Sequence, residues 1–152
     1  MTVIIRRANS SDISALVEFN QAMALETEGK TLDTETLTNG VSAVFADTAK
    51  GFYVVAEADG QILGGLMVTT EWSDWRNGWF WWIQSVYIQP EGRGQGIYRK
   101  LYEFVKQQAA EGGGVCGFRL YVEKENELAQ AVYEKLGMEK TYYLMYEEPA
   151  NL

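Results

Sequence analysis

Positions 89–100 read Gln-Pro-Glu-Gly-Arg-Gly-Gln-Gly-Ile-Tyr-Arg-Lys. Glycines at 92, 94 and 96 surround Arg93, after an apolar run and before a helical pattern. The first N–H groups of a helix lack intrahelical partners, and the helix dipole favours an anion beside them. Glycine adds close backbone approach and access to positive φ. Arg93, with Arg99 and Lys100 a turn later, brings positive charge. Such a stretch suits a phosphate or diphosphate, although a plain strand-to-helix loop can also be glycine-rich.

Three phosphate-bearing ligands compete for it. A nucleoside triphosphate loop needs G-x-x-x-x-G-K-[ST], and no Gly-Lys-Ser or Gly-Lys-Thr occurs. A dinucleotide loop needs G-x-G-x-x-G, but Arg99 stands where the third glycine belongs after Gly94 and Gly96. Coenzyme A is the third.

Absences narrow the chemistry further. The 152 residues include no histidine and one cysteine, Cys116. Histidine-based triads, Cys-His pairs and an ordinary zinc site are therefore excluded, and no metal is expected. Cys116 is expected as a packed core thiol, with nothing beside it to lower its pKa. A formal charge of −8 argues against nucleic acid, which needs a basic footprint. It would steer a cationic small substrate, or serve solubility alone. No apolar stretch is long enough for a membrane span and no signal peptide opens the chain, so a reducing cytoplasm is expected.

The elements that must position this loop follow from periodicity. Val3–Arg6 suits a first strand, and Asn9–Asp12 caps a helix with Ile13, Leu16, Val17, Asn20, Met23 and Ala24 on one face. A second helix is expected over Asp33–Phe45. Strands at Phe52–Ala58 and Ile62–Thr70 are joined by Asp59-Gly60, a strong hairpin signal, and Trp79–Ile88 forms another. Gln95–Ala110 reads as a helix stopped by Gly112-Gly113-Gly114. Phe118–Val122 is then a strand, Glu127–Leu136 a helix and Thr141–Glu147 a last strand. The order β-α-α-β-β-β-α-β-α-β predicts one α/β (α+β) domain over 1–152. Its mixed sheet is antiparallel in the first half, with helices on both faces.

With these elements in place, two stretches resemble the GNAT N-acetyltransferase superfamily. Arg93-Gly94-Gln95-Gly96-Ile97-Tyr98 is similar to its [QR]-x-x-G-x-[GA] signature, with Tyr98 departing from the small residue. Asn126-x-x-Ala129-x-x-x-Tyr133-x-x-x-Gly137-Met138 resembles its second motif, with Met138 in place of Phe. The resemblance spans nearly the whole chain. It implies the acyl-CoA N-acyltransferase fold, a sheet of about six to seven strands, and acetyl transfer from acetyl-CoA to a primary amine.

It also implies roles. Val86, Tyr87 and Ile88 would give main-chain contacts to pantetheine and the acetyl carbonyl, where strands four and five splay. Arg93, Gly94, Gln95, Gly96, Ile97, Tyr98 and Arg99 would hold the diphosphate, Asn126 would bind near pantetheine, and Tyr133 would protonate the CoA sulfur. Many relatives carry a glutamate base on the fourth strand; here Gln84 lies in that stretch and is no useful base. Glu26, Glu28, Glu71 and Asp74 are other candidates, and a water chain is favoured over them.

For the acceptor, Glu26 and Glu28 could meet a cation, or be surface charges only, and Gln84 is a further acceptor-side contact. All five tryptophans lie between 72 and 82. Trp72, Trp75 and Trp82 could wall an amine pocket, since aromatic faces attract ammonium groups. Trp79 and Trp81 are expected to serve packing. A small amine acceptor is the leading expectation and a protein N-terminus or lysine the second. A non-catalytic acyl-CoA-binding module is the third. Family habit suggests a homodimer.

Overall fold

A computed structural model gives the fold and describes residues 2–150. The chain forms two compact units that divide between Tyr121 and Val122. The first holds β1 (Ile4–Arg7), α1 (Ile13–Glu28), α2 (Thr34–Ala46), β2 (Phe52–Ala58), β3 (Gln61–Ser73), β4 (Gly78–Ile88), α3 (Ile97–Gly112) and β5 (Val115–Arg119). The second holds α4 (Glu127–Lys135) and the residues after it.

Local chemistry sets most boundaries. Asn9 Oδ1 accepts from Ser11 N at 3.0 Å while Asp12 Oδ2 accepts from Asn9 N at 2.8 Å, a reciprocal cap before α1. Asp12 is only 4% exposed, yet Arg6 reaches it with both terminal guanidinium nitrogens, at 2.8 and 3.1 Å. Burial pushes this carboxyl up; Arg6 and the Asn9 amide outweigh it and hold it below its ordinary value. Asp33 caps α2 by accepting from Thr36 N at 3.0 Å. At the hairpin Asp59 and Gly60 both take positive φ, as a tight two-residue turn requires.

The sheet runs β1-β2-β3-β4-β5, antiparallel through β4 and parallel between β4 and β5. Alternation along β2 feeds both faces. Tyr53 and Val55 pack with Leu16 and Phe19 of α1 and Val41 and Val44 of α2. Val54 and Ala56, equally buried, alternate to the other face. There α3 covers β1, β2 and β3 with its buried stripe of Ile97, Leu101, Tyr102, Val105 and Ala109. This is the mixed, doubly covered α/β fold that the periodicity predicts.

Three expectations need correction. The sheet has five strands among the described residues, not six or seven, because Thr141–Glu147 takes no strand. Without a neighbouring strand, β-propensity alone cannot hold that backbone extended in a ladder. Next, β5 begins at Val115 and ends at Arg119, three residues earlier than Phe118–Val122, because Trp79 N bonds Gly114 O at 2.8 Å and starts the pairing there. Finally, Cys116 is exposed, not a core thiol. It lies against Gly78, which has no side chain to cover it.

Candidate active site

The strand ahead of the glycine loop is paired unequally along its length. β4 pairs with β3 from Gly78 to Ile88, but with β5 only from Trp79 to Trp82. The partner strand stops at Arg119, so among the described residues Ile83–Ile88 pair with β3 on one side and with no strand on the other. Within this half the register against β3 slips: Gln84 faces Met67, whereas Tyr87 faces Gly65. Ser85 absorbs the slip with φ of +51°, a rare conformation for a residue with a side chain. Val86, Tyr87 and Ile88 all lie on this open stretch.

The chain then turns through Pro90–Gly92 into Arg93–Gly96 and enters α3. Gly92 is packed tight: a Cβ there would meet Ile97 Cδ1 at 3.1 Å and Ile88 Cγ2 at 3.3 Å. Gly94 and Gly96 differ. Both are left-handed, with φ of +78° and +72°, and a Cβ on either would meet nothing within 4 Å. So one glycine lets the loop pack down on the sheet, while the other two turn backbone toward open space. Gly96 is the residue before α3, which starts at Ile97, two positions later than the sequence pattern suggests.

The departing residue of the signature, Tyr98, stacks on Tyr102 with ring centroids 6.2 Å apart and planes 5° off parallel. Its bulk is thus taken up along the helix. Gln95 Nε2 donates to Glu91 O at 2.9 Å, bracing the loop, and Arg99 pairs with Glu103 at 3.0 Å.

Arg93 is already engaged. Its Nε donates to Ile88 O at 2.9 Å and its Nη2 meets Glu26 Oε1 at 2.9 Å. The other oxygen of Glu26 accepts from the Tyr87 hydroxyl at 2.5 Å. Tyr87 and then Arg93 stabilise the Glu26 carboxylate and pull its pKa below the ordinary value. Burial, then the neighbouring Glu26 charge, push the Tyr87 phenol up. A carboxylate held charged in this way is a weak proton acceptor.

On the α1–α2 side of the sheet lies a cavity of about 410 Å³. Asn20, Thr36, Leu37, Gly40, Val41, Val44, Lys50, Tyr53, Met67, Thr69 and Ser85 line it. Most of the wall is apolar or neutral, and its ionic residue, Lys50, pairs with Asp47 at 3.1 Å. Ser85 places the cavity beside the register slip in β4. Gln84 touches the wall indirectly, donating from Nε2 to Thr69 Oγ1 at 2.6 Å.

The other acceptor-side candidates lie elsewhere. Glu26 is held by Tyr87 and Arg93, and Glu28 pairs with Lys30 at 3.3 Å on the surface. Trp75 is 89% exposed in the β3–β4 turn, and Trp72 packs edge-on against Trp79. Trp82 Nε1 donates to Glu71 Oε1 at 3.1 Å, and the same oxygen takes Arg119 at 3.0 Å. Asp74 is in the turn, its carbonyl accepting from Asn77 N.

None of the cavity residues was singled out from sequence. The usable signal was Gly40, a glycine inside an otherwise regular helix that costs about 1 kcal/mol relative to alanine. Here a Cβ at Gly40 would meet nothing within 4 Å.

In the second unit Asn126 is the N-cap of α4, its Oδ1 accepting from Ala129 N at 3.1 Å. Gly137, with φ of +103°, ends the helix, and Met138 N bonds back to Tyr133 O at 3.0 Å. The asparagine and glycine of the second motif are thus the two ends of one short helix that carries Tyr133. Burial raises the half-buried Tyr133 phenol above its ordinary pKa. Among the described residues no three acidic or cysteine side chains cluster as metal ligands, and no helix is long and apolar enough to cross a membrane.

This arrangement has close parallels. Residues 15–138 match the acetyltransferase (GNAT) family. A crystal structure from Clostridium difficile 630, described as a possible acetyltransferase, is 44% identical, covers 99% of each chain and superposes with a TM-score of 0.90. A predicted acetyltransferase from Clostridium acetobutylicum, solved with acetyl-CoA, is 23% identical over 97% of this chain and 96% of its own, with a TM-score of 0.79. An aminoglycoside acetyltransferase from an uncultured soil metagenomic sample shares the fold at 16% identity, covering 99% of this chain and all of its own (100%), with a TM-score of 0.75. An opened fourth strand, a positive-φ glycine loop and a family match across most of the chain lead to one assignment: this protein belongs to the GNAT family of acetyl-CoA-dependent acetyltransferases.

Proposed function

We propose that the open half of β4 and the Arg93–Arg99 loop bind acetyl-CoA, and that the acetyl group passes to a primary amine of a small molecule seated beside Ser85. One observation carries this. β4 parts from β5 after Trp82 while staying paired to β3 through Ile88, so an unpaired strand edge leads straight into the glycine loop.

The residues fit the group. Val86, Tyr87 and Ile88 offer main-chain groups to the amide-bearing arm, the Ile88 carbonyl being already used by Arg93 Nε. Gly94, Gln95, Gly96, Ile97 and Tyr98 offer backbone N–H groups to the diphosphate, with Arg93 and Arg99 as counter-charges. Acetyl-CoA supplies the acyl group as a thioester. A backbone N–H of the open strand can stabilise the charge that gathers on the acyl oxygen.

The amine nitrogen forms the new C–N bond as the C–S bond breaks. The ammonium first loses a proton to water to become the attacking amine. The Tyr133 phenol delivers a proton to the leaving sulfur, the second nitrogen proton passes out through water, and Tyr133 is reprotonated from solvent. The assignments of Tyr133 and Asn126 rest on the second motif. Water is preferred as the proton's exit because Gln84 has no basic site and Glu26 is held ionised by its partners.

The cavity is open to one side, and its size and neutral lining are compatible with a small acceptor. Its volume falls within the few hundred Å³ common for small-molecule sites. Its wall suits an uncharged, partly apolar body whose ammonium group is the cation, and the formal charge of −8 helps to draw it in.

Following thiol release from acetyl-CoA across a panel of primary amines tests the proposal. Release should rise above background hydrolysis, more with arylalkyl and alkyl amines than with polyamines. Thiol release that no amine stimulates, with acetyl-CoA still bound by calorimetry, would leave a binding module in place of an enzyme.

A further inference from the structure

One wall of the cavity beside Ser85 carries a polar group that the fold does not use. Tyr53 lies on β2, is 5% exposed and stacks on Phe45 with ring centroids 5.6 Å apart. It belongs to the apolar cluster of Leu16, Phe19, Val41 and Val44, where a phenylalanine ring would pack equally well. Tyr53 lines the cavity, and among the described residues its hydroxyl has no hydrogen-bond partner. A polar group so deeply buried is normally paired, and an unpaired one calls for a reason. Burial raises this phenol above its ordinary pKa, so it keeps its proton and remains a donor.

A second unmet group lines the same cavity. Asn20 of α1 donates from Nδ2 to Leu16 O at 2.9 Å, and that bond fixes which end of the amide is the oxygen. Its Oδ1 receives no donor from the described residues. One free donor and one free acceptor are answered together by a hydroxyl group. A carboxylate can only accept, and would set its charge against the Asn20 oxygen. A second ammonium can only donate, would leave the Tyr53 proton without an acceptor, and would find no carboxylate in the wall. Lys50 is already neutralised by Asp47 and does not call for an anion.

The register sets the length of the occupant. Tyr53 faces Met67 across β2 and β3, and Met67 faces Gln84 across β3 and β4. Tyr53 and Ser85, the neighbour of Gln84, are thus two strand spacings apart, roughly 10 Å. Met67 lies between them, and its flexible thioether suits an aromatic face. Leu37, Val41 and Val44 add apolar wall from α2.

We propose that Tyr53 and Asn20 read a hydroxyl at the end of the acceptor far from its amine, so that the substrates are hydroxylated arylalkyl amines. This rests on the acetyl-transfer reading above and narrows it. The amine lies beside Ser85, the ring over Met67, and the ring hydroxyl accepts from Tyr53 while donating to Asn20. Tyr53 sets specificity and takes no part in the proton transfers.

Two amines that differ only in that oxygen, 4-hydroxyphenethylamine and phenethylamine, test this by thiol release from acetyl-CoA. The wild type should favour the hydroxylated amine by at least about 10-fold in kcat/KM, because its analogue leaves two protein groups unpaired. Tyr53→Phe should cut that ratio below about 3-fold, and Asn20→Ala should lower it too. The Tm of Tyr53→Phe should not fall, since the hydroxyl gives the fold nothing. A ratio near one in the wild type would mean that these groups serve water only; acetyl transfer would stand and this proposal would not. A ratio that survives Tyr53→Phe would overturn it as well, and a clear fall in Tm would show the hydroxyl to be structural. If neither amine releases thiol, the acetyl-transfer reading fails and calorimetry with coenzyme A present decides the site by itself. Tighter binding of the hydroxylated amine, lost in Tyr53→Phe, would support it; equal binding of the two amines, or none, would remove it.

Discussion

The two halves of β4 share a strand and differ in almost everything else. From Trp79 to Trp82 the backbone has a neighbour on each side, β3 and β5. Side chains fix it further: Trp81 meets Phe52 at 5.3 Å and Phe118 at 6.5 Å, both edge-on, and Trp82 is held by Glu71. From Ile83 to Ile88 one neighbour is gone, the register slips, and Ser85 sits at positive φ. A strand anchored on both sides at one end can leave its other end half-paired without unravelling. The unmet hydrogen-bonding capacity there is what an amide-bearing ligand can use.

If the division is real, damage at the open end should destroy binding and spare stability. Gly96→Asp is the severest case. It puts a side chain at φ +72° and a carboxylate where the diphosphate is expected, and acetyl-CoA affinity should fall at least about 1,000-fold by calorimetry. Because a Cβ there meets nothing within 4 Å, thermal stability should drop by no more than about 1–2 kcal/mol, the cost of the backbone conformation alone. Retained binding would show that the cradle lies elsewhere.

Damage at the paired end should do the reverse. Trp81→Ala removes an aromatic bridge between β2 and β5 and should cost about 3 kcal/mol, a fall in Tm of roughly 10 °C. Affinity for acetyl-CoA measured well below that Tm should stay within about two-fold of wild type. A large loss of affinity would mean that the two halves are one cooperative piece.

How much of this strand could be foreseen depends on the range of the interactions. The Asp59-Gly60 hairpin, the capped start of α1 and the glycine loop were legible because neighbours in sequence decide them. Ser85 was not: nothing in Gln84-Ser85-Val86 announces a bulge, which arises from the register that Gly65 and Met67 impose across the sheet. The Glu26–Tyr87–Arg93 link joins residues more than 60 positions apart and likewise has no local signature. The cavity gathers residues from two helices and three strands, so only Gly40 hinted at it. Thr141–Glu147 shows the opposite failure. Its residues call for a strand, but a strand needs a neighbour that the sequence pattern cannot supply.

A third change separates chemistry from binding. Tyr133→Phe keeps the ring and removes the proton, so kcat should fall about 100-fold while KM for acetyl-CoA stays within about two-fold. The pH profile gives the sign. Burial raises this phenol above its ordinary 10.0, so the acid form persists to higher pH. The alkaline fall in kcat assigned to it should therefore lie above pH 10 in the wild type and vanish in the variant. An unchanged kcat would remove Tyr133 as the acid.

The smallest effect concerns the charge at the junction of strand and loop. Glu26 now holds the guanidinium that a diphosphate would need, so the carboxylate and the ligand compete for Arg93. Glu26→Gln keeps a group able to accept from Tyr87 and removes the competing charge. The pair is exposed and screened by solvent, so the gain is small: acetyl-CoA should bind more tightly by less than about 5-fold at low salt. The advantage should shrink as salt screens the pair. Its pH dependence is fixed by the lowered carboxyl pKa, from an ordinary 4.5. The wild-type charge is complete from pH 6 to 8, so the ratio of the two affinities should be flat there and should approach one only as pH falls through the lowered value. Weaker binding by Glu26→Gln would reverse the assignment: Glu26 would then be holding Arg93 and Tyr87 in the geometry the cofactor uses, and the open end of β4 would be preorganised rather than blocked.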